Sequence, residues 1–178
     1  MLALNISPVR RKKREAMKKA LLSVLLLGAL VLPSYSLGIG AAFTPNFGFT
    51  SNVSSSPAGA ALTLKLDSAP YVFGFGASLG TGYSAVGFTA DLWMAKGKLI
   101  DFLNYYAGPG IYLGLAGNNN DFRMNGGLRI PIGVNAFLLN NTLELFLELA
   151  PAFGILLADP VKFPTLGLQG AFGFRFWF

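Results

Sequence analysis

Few side chains in this chain can do chemistry. Its 178 residues include no His and no Cys. That removes the usual general base near neutral pH, the commonest metal ligand, a thiolate nucleophile and any disulfide framework. What remains are carboxylates and bases set singly into apolar segments: Lys65, Asp67, Asp91, Arg129, Glu144, Glu148 and Arg175. A carboxylate can act as acid or base, but two must converge on one accessible site. Asp121 and Asp159, in segments that read as outer loops, each stand alone. No cluster of acids has metal-ligand spacing. We therefore expect no catalytic residue, no metal site and no cofactor. Gly38-Ile39-Gly40 and Gly74-Phe75-Gly76 are not phosphate loops, because they lack the Lys-Ser/Thr ending and a strand-to-helix context.

The formal charge of +6 is local. Residues 1–36 hold Arg10, Arg11, Lys12, Lys13, Arg14, Lys18 and Lys19 against Glu15, and the remainder is balanced, with seven bases and seven acids. A nucleic-acid-binding domain would keep its basic surface after processing, and this chain would lose it, so no nucleic-acid partner is expected. Met17-Lys18-Lys19, the apolar run Ala20 to Leu32 and then Pro33-Ser34-Tyr35-Ser36 have the order of a secretory signal. The run of 13 residues falls short of the ~20 needed to span a bilayer. Ser34 and Ser36 fit the small-residue positions of a cleavage site, which predicts a mature chain starting at Leu37. Met17 would itself serve as an initiator, making residues 1–16 an upstream extension. The domain organisation is thus a signal peptide over 1–36 and one domain over 37–178.

The elements that must position the charges are strands. Leu143, Leu145, Leu147 and Leu149 alternate with Glu144, Phe146, Glu148 and Ala150. Leu128, Ile130, Ile132 and Val134 alternate with Gly127, Arg129, Pro131 and Gly133, and Phe172, Phe174, Phe176 and Phe178 alternate with Gly173, Arg175 and Trp177. Period two puts each set on its own face. The second face is mostly Gly, too poor in polar residues to meet water as a soluble sandwich would. An all-β, antiparallel, up-and-down transmembrane β-barrel fits better, with apolar residues toward lipid and small or charged ones inside. We read eight strands near 37–45, 60–67, 71–80, 83–95, 99–116, 124–138, 142–157 and 165–178. The short turns are Ser68–Pro70, Lys96–Lys98 and Leu139–Asn141, and the opposite loops are Asn46–Gly59, Thr81-Gly82, Gly117–Arg123 and Ala158–Pro164. Eight strands of ~9–11 residues leave room for seven connections; ten would not.

With its signal, its alternation and its ending Phe174-Arg175-Phe176-Trp177-Phe178, the chain resembles the small eight-stranded outer-membrane barrels of the OmpA-domain, OmpX and OmpW kind. The runs Leu128–Gly133 and Leu143–Pro151 look like the OmpA-like barrels of spirochaetes. The resemblance implies outer-membrane lipid around the barrel. It also implies recognition by the barrel-assembly machinery through Phe172, Phe174, Phe176 and Phe178. Gly170 departs from that ending, where a bulkier residue is usual. Enzymes of this architecture rely on His, which is missing here.

Inside the barrel, an outer hairpin centred near residue 161 or 162 sets Arg175 opposite Glu148, with Arg129 and Glu144 nearby. Such a network either neutralises a filled lumen or forms a charged constriction. Trp93, Tyr106, Tyr112 and Trp177 would fill space left by the inner glycines. Two functions follow as expectations. One is a structural and surface-interaction protein whose outer loops, above all Asn46–Gly59, meet an extracellular or host ligand. The other is a narrow passive channel or hydrophobic-solute conduit.

Overall fold

A computed structural model describes residues 36–48, 59–80, 83–117 and 122–178. The expected signal segment with Ser34, most of the loop Asn46–Gly59 and the turn Thr81-Gly82 lie outside the described residues. Among the described residues there are twelve strand segments. They are β1 (Leu37–Thr44), β2 (Asn46–Gly48), β3 (Gly59–Leu66), β4 (Tyr71–Gly80), β5 (Tyr83–Leu92) and β6 (Ala95–Ile100). They continue with β7 (Leu103–Ala107), β8 (Gly110–Gly117), β9 (Phe122–Arg129), β10 (Ile132–Leu138), β11 (Leu143–Leu157) and β12 (Lys162–Trp177).

Three of the interruptions fall at Pro, which has no N–H to give a ladder. Pro45 parts β1 from β2, Pro109 parts β7 from β8 and Pro131 parts β9 from β10. Bonding continues across the breaks, with Leu92 N donating to Pro109 O at 2.9 Å and Gly108 N to Pro131 O at 3.2 Å.

The pairings are antiparallel and close on themselves. Gly38 faces Lys65, then Val72, Asp91, Gly110, Arg129, Ala152, Gly167 and finally Gly48, so the path returns to the first strand ten residues from its start. At the seam, Leu37 N donates to Phe178 O and Phe178 N to Leu37 O, each at 3.1 Å.

The ring is inverted relative to a water-soluble barrel. Along β11, Glu144, Phe146, Glu148, Ala150 and Ala152 are buried, while Leu145, Leu147, Leu149 and Phe153 are exposed. Ile39, Phe43, Leu62, Phe75, Ile111, Leu128, Ile132, Phe172, Phe174 and Phe176 extend the apolar outer face around the ring. Each such side chain is worth ~1.5–3 kcal/mol when removed from water, so this band suits hydrocarbon.

Three sequence expectations about connections are corrected. The turn expected at Lys96–Lys98 is strand, and the chain reverses at Asp101-Phe102 instead. Lys96 and Lys98 pair opposite Tyr106 and Asn104, with Gly97 opposite Tyr105. Lysines resemble a turn signal there because β6 is an edge strand, where Lys discourages further pairing. A Cβ on Gly97 would meet the Tyr105 ring at 2.8 Å, so Gly serves packing rather than a bend. The connection expected at Ala158–Pro164 spans only 158–161, because β12 starts at Lys162. Pro164 is tolerated because the β11–β12 register shifts between Gly154 and Leu156. Asp67, expected on an inner strand face, sits exposed in the turn after β3.

The inner glycines are not equivalent. A Cβ on Gly133 would overlap the Tyr106 ring, and one on Gly40 the Phe174 carbonyl. Gly76 and Gly87 would meet nothing nearer than 3.6 Å. Gly133→Ala should therefore destabilise the barrel by ~1–3 kcal/mol, and Gly87→Ala by less than ~0.5. Unfolding temperatures read from heat-modified mobility on detergent gels check this; equal effects of the two would refute the packing account.

Candidate functional site: a charged layer inside the barrel

The inner parity of five strands delivers three bases and three acids to one layer. β3 supplies Lys65, β5 Asp91, β9 Arg129, β11 Glu144 and Glu148, and β12 Arg175. All but the half-buried Lys65 are less than a tenth exposed. Formal charge within the layer cancels, three against three.

Glu144 is one hub. Its carboxylate accepts from Lys65 Nζ at 2.9 Å, Asn135 Nδ2 at 2.7 Å and Trp177 Nε1 at 3.1 Å, and Arg175 Nη1 lies 3.3 Å away. Arg175 also donates from Nε to Thr63 Oγ1 at 3.2 Å, and its guanidinium sits 3.9 Å from the centre of the Phe146 ring. Arg129 is the second hub. It pairs with Glu148, donates from Nη1 to Gln169 Oε1 at 2.7 Å, and places Nε 3.1 Å from Asp91 Oδ1. Tyr106 reaches over Gly133, its neighbour on β10, to donate to Glu148 Oε2 at 3.1 Å.

Aromatic rings close the space between the hubs. Trp93 stacks on Tyr106 with centroids 3.4 Å apart, and Lys65 Nζ lies 4.1 Å from the other face of the indole. Arg175 stands 5.4 Å from the same indole, so Trp93 touches both clusters. A guanidinium or ammonium over an aromatic face is held by the ring quadrupole, more strongly when desolvated.

The expected residues Arg129, Glu144, Glu148 and Arg175 do come together, but the expected partners are exchanged. Arg175 lies opposite Glu144, and Glu148 lies opposite Ala171. The hairpin turns at 158–161 rather than two residues later, which moves the register by four and keeps every side chain on its face. Phe172, Phe174, Phe176 and Phe178 are exposed on the outer side, and Ser36 directly precedes β1. Thr63, Asn135 and Gln169 were not singled out from the sequence. Each shares the parity of a singled-out neighbour: Lys65, Gly133 and Arg175 respectively.

This arrangement can hold charge in low dielectric without leaving it unpaired. Among the described residues no group of three or more His, Cys, Asp or Glu could hold a metal ion.

No protein-family model matches the chain, and no curated protein matches it in sequence. Among solved structures it is similar to Neisserial surface protein A, with a TM-score of 0.54 and 15% identity over 81% of this chain and 97% of that one. The fold is that of a small outer-membrane β-barrel. A second likeness, to Ail, the attachment invasion locus protein of Yersinia pestis, solved with the heparin analogue sucrose octasulfate, has a TM-score of 0.47 and 10% identity over the same shares.

Within this barrel, Glu144→Gln should cost ~3–5 kcal/mol, because Lys65 and Arg175 lose their counter-charge in a dry layer. Adding Lys65→Met should restore part of the loss, whereas adding Lys162→Met, remote from the layer, should not. Urea unfolding in detergent measures both; additivity of Glu144→Gln with Lys65→Met would exclude the coupling.

Proposed function

We propose that residues 37–178 form an eight-stranded transmembrane barrel of a bacterial outer membrane, released from a signal peptide ending at Ser36. It is non-enzymatic and acts as a structural and surface-interaction protein through its outer loops. β1 with β2, β5 with β6, β7 with β8 and β9 with β10 each count as one long strand. With eight strands, a displacement of ten residues around the ring corresponds to a tilt of about 40° and a backbone radius of about 8 Å. Side chains fill a ring of that width. Phe172, Phe174, Phe176 and Phe178 then serve twice, toward lipid and toward the assembly machinery.

The observation that carries this reading is the closed charged layer. The three bases meet the three acids, and Trp93, Tyr106 and Phe146 fill what is left. A lumen blocked by paired charges leaves the loops as the route to a partner.

One observation favours a narrow channel as the second reading. A cavity of about 590 Å³ lies on the side of the turns, and on the other side a Cβ on Gly76 or Gly87 would meet nothing nearer than 3.6 Å. The planar bilayer separates the two. The wild-type barrel should insert without discrete openings, and Arg129→Ala with Glu148→Ala should produce them. Discrete wild-type openings that change with Glu148→Gln would replace the surface reading by the channel. A silent barrel with residues 49–58 deleted that binds every host ligand as before would remove the surface reading too.

A further inference from the structure

The cavity on the turn side has a lining of its own. β6 and β7 run past the turn that follows β3 and, among the described residues, pair only with each other and β10. Their inner face, with the turns at 67–70, 101–102 and 139–142, borders a half-open cavity of about 590 Å³, a volume that suits a small organic ligand. Trp93, Tyr106 and Lys65 form its floor, and Lys96 and Lys98 its flank.

Two observations bear on what this cavity could bind. Trp93 is 4% exposed, and its Nε1 has no hydrogen-bond partner. Both faces of its indole are taken, by Tyr106 and by Lys65. A buried donor left unpaired is costly, and the group that satisfies it must be an acceptor. Asp91 Oδ1, Arg129 Nε and Arg175 Nη1 also lack a well-aligned bond, but each lies within an ion pair; Trp93 has none. Secondly, the register aims Lys96 and Lys98 at the interior, beside Tyr106 and Asn104. Among the described residues neither has a carboxylate within ion-pair distance, whereas Lys65 is engaged by Glu144. Asp67 and Asp101 also line the cavity, from its turns, and limit how much negative charge it accepts. Leu66, Pro70 and Phe102 give it apolar walls.

We propose that this vestibule binds an amphiphilic anion: a single phosphate or carboxylate head near Trp93 and the two lysines, with a short apolar body against the walls. The site does not depend on whether the lumen conducts. Such a ligand could be soluble or a lipid of the surrounding leaflet, and the test separates these sources.

The full chain, purified from membranes in a non-ionic detergent, is titrated calorimetrically with hexyl phosphate, hexanoate and hexanol. Saturable binding of the two anions and none of hexanol is expected. Lys96→Gln with Lys98→Gln, and separately Trp93→Phe, should each weaken binding at least ~tenfold, the loss expected for a bond to a charged group. Because Lys96 and Lys98 are exposed, the double variant should keep its heat-modified mobility and decides the matter even if Trp93→Phe fails to fold. Competition by phosphatidylglycerol but not phosphatidylcholine in the micelles identifies a leaflet lipid; indifference to both identifies a soluble ligand. No saturable heat, equal binding of hexanol, or undiminished binding by the lysine double variant overturns the site.

Discussion

Everything in this molecule follows from one constraint: backbone N–H and C=O groups surrounded by hydrocarbon must all find partners in the protein. A sheet meets that demand only by closing, and the mutual bonds of Leu37 and Phe178 complete the closure. Closure then divides side chains into two populations by parity. Outward positions meet lipid and become Leu, Ile and Phe. Inward positions enter a space of fixed width and must fit it in size and charge. Glycine opposite a large inner ring, as Gly133 lies opposite Tyr106, is a result of that width.

The inward charges obey the same logic. An ion inside a narrow barrel is nearly dry, and an isolated one would be more costly than any gain from placing it there. The observed solution is neutral overall and locally matched, with Glu144 between two cations and Arg129 between two carboxylates. Pairing alone does not make such a layer more stable than an apolar filling of equal volume. Its presence calls for another reason, and the register supplies one.

How much was legible in the sequence depends on what each feature requires. Faces needed only parity, so the inward placement of Arg129, Glu144, Glu148 and Arg175 could be read directly. Partners needed the position of each turn, and turn signals misled at two places. Lys96-Gly97-Lys98 reads as a turn, yet an edge strand also favours lysine, and the glycine answers to the Tyr105 ring. Pro164 reads as a breaker, yet an irregular ladder accommodates it. Thr63, Asn135 and Gln169 carry no charge to draw attention, and only coordinates show what they bond. The unpartnered N–H of Trp93 is beyond any sequence signal, because it depends on two rings and an ammonium arriving at one point.

The register itself shows what the charged layer is for. On the outside of the β11–β12 hairpin, Leu143, Leu145, Leu147 and Leu149 meet Phe176, Phe174, Phe172 and Gly170. Sliding one strand by two or four residues exchanges Leu–Phe contacts for other Leu–Phe contacts, so lipid-facing chemistry barely distinguishes the alternatives. A slip by an even number also preserves the faces, and therefore escapes the penalty that rejects slips by one. The inner residues do distinguish them. A four-residue slip would set Arg175 against Glu148, in competition with Arg129, and would leave Glu144 beyond the last residue of β12 with Lys65 as its remaining cation. In that register Glu148 faces two guanidinium groups while Glu144 keeps a single ammonium, a poorer match of buried charge than the observed one. The layer thus selects among pairings that the apolar face cannot tell apart, and this accounts for charged residues where aliphatic ones would fill the same volume.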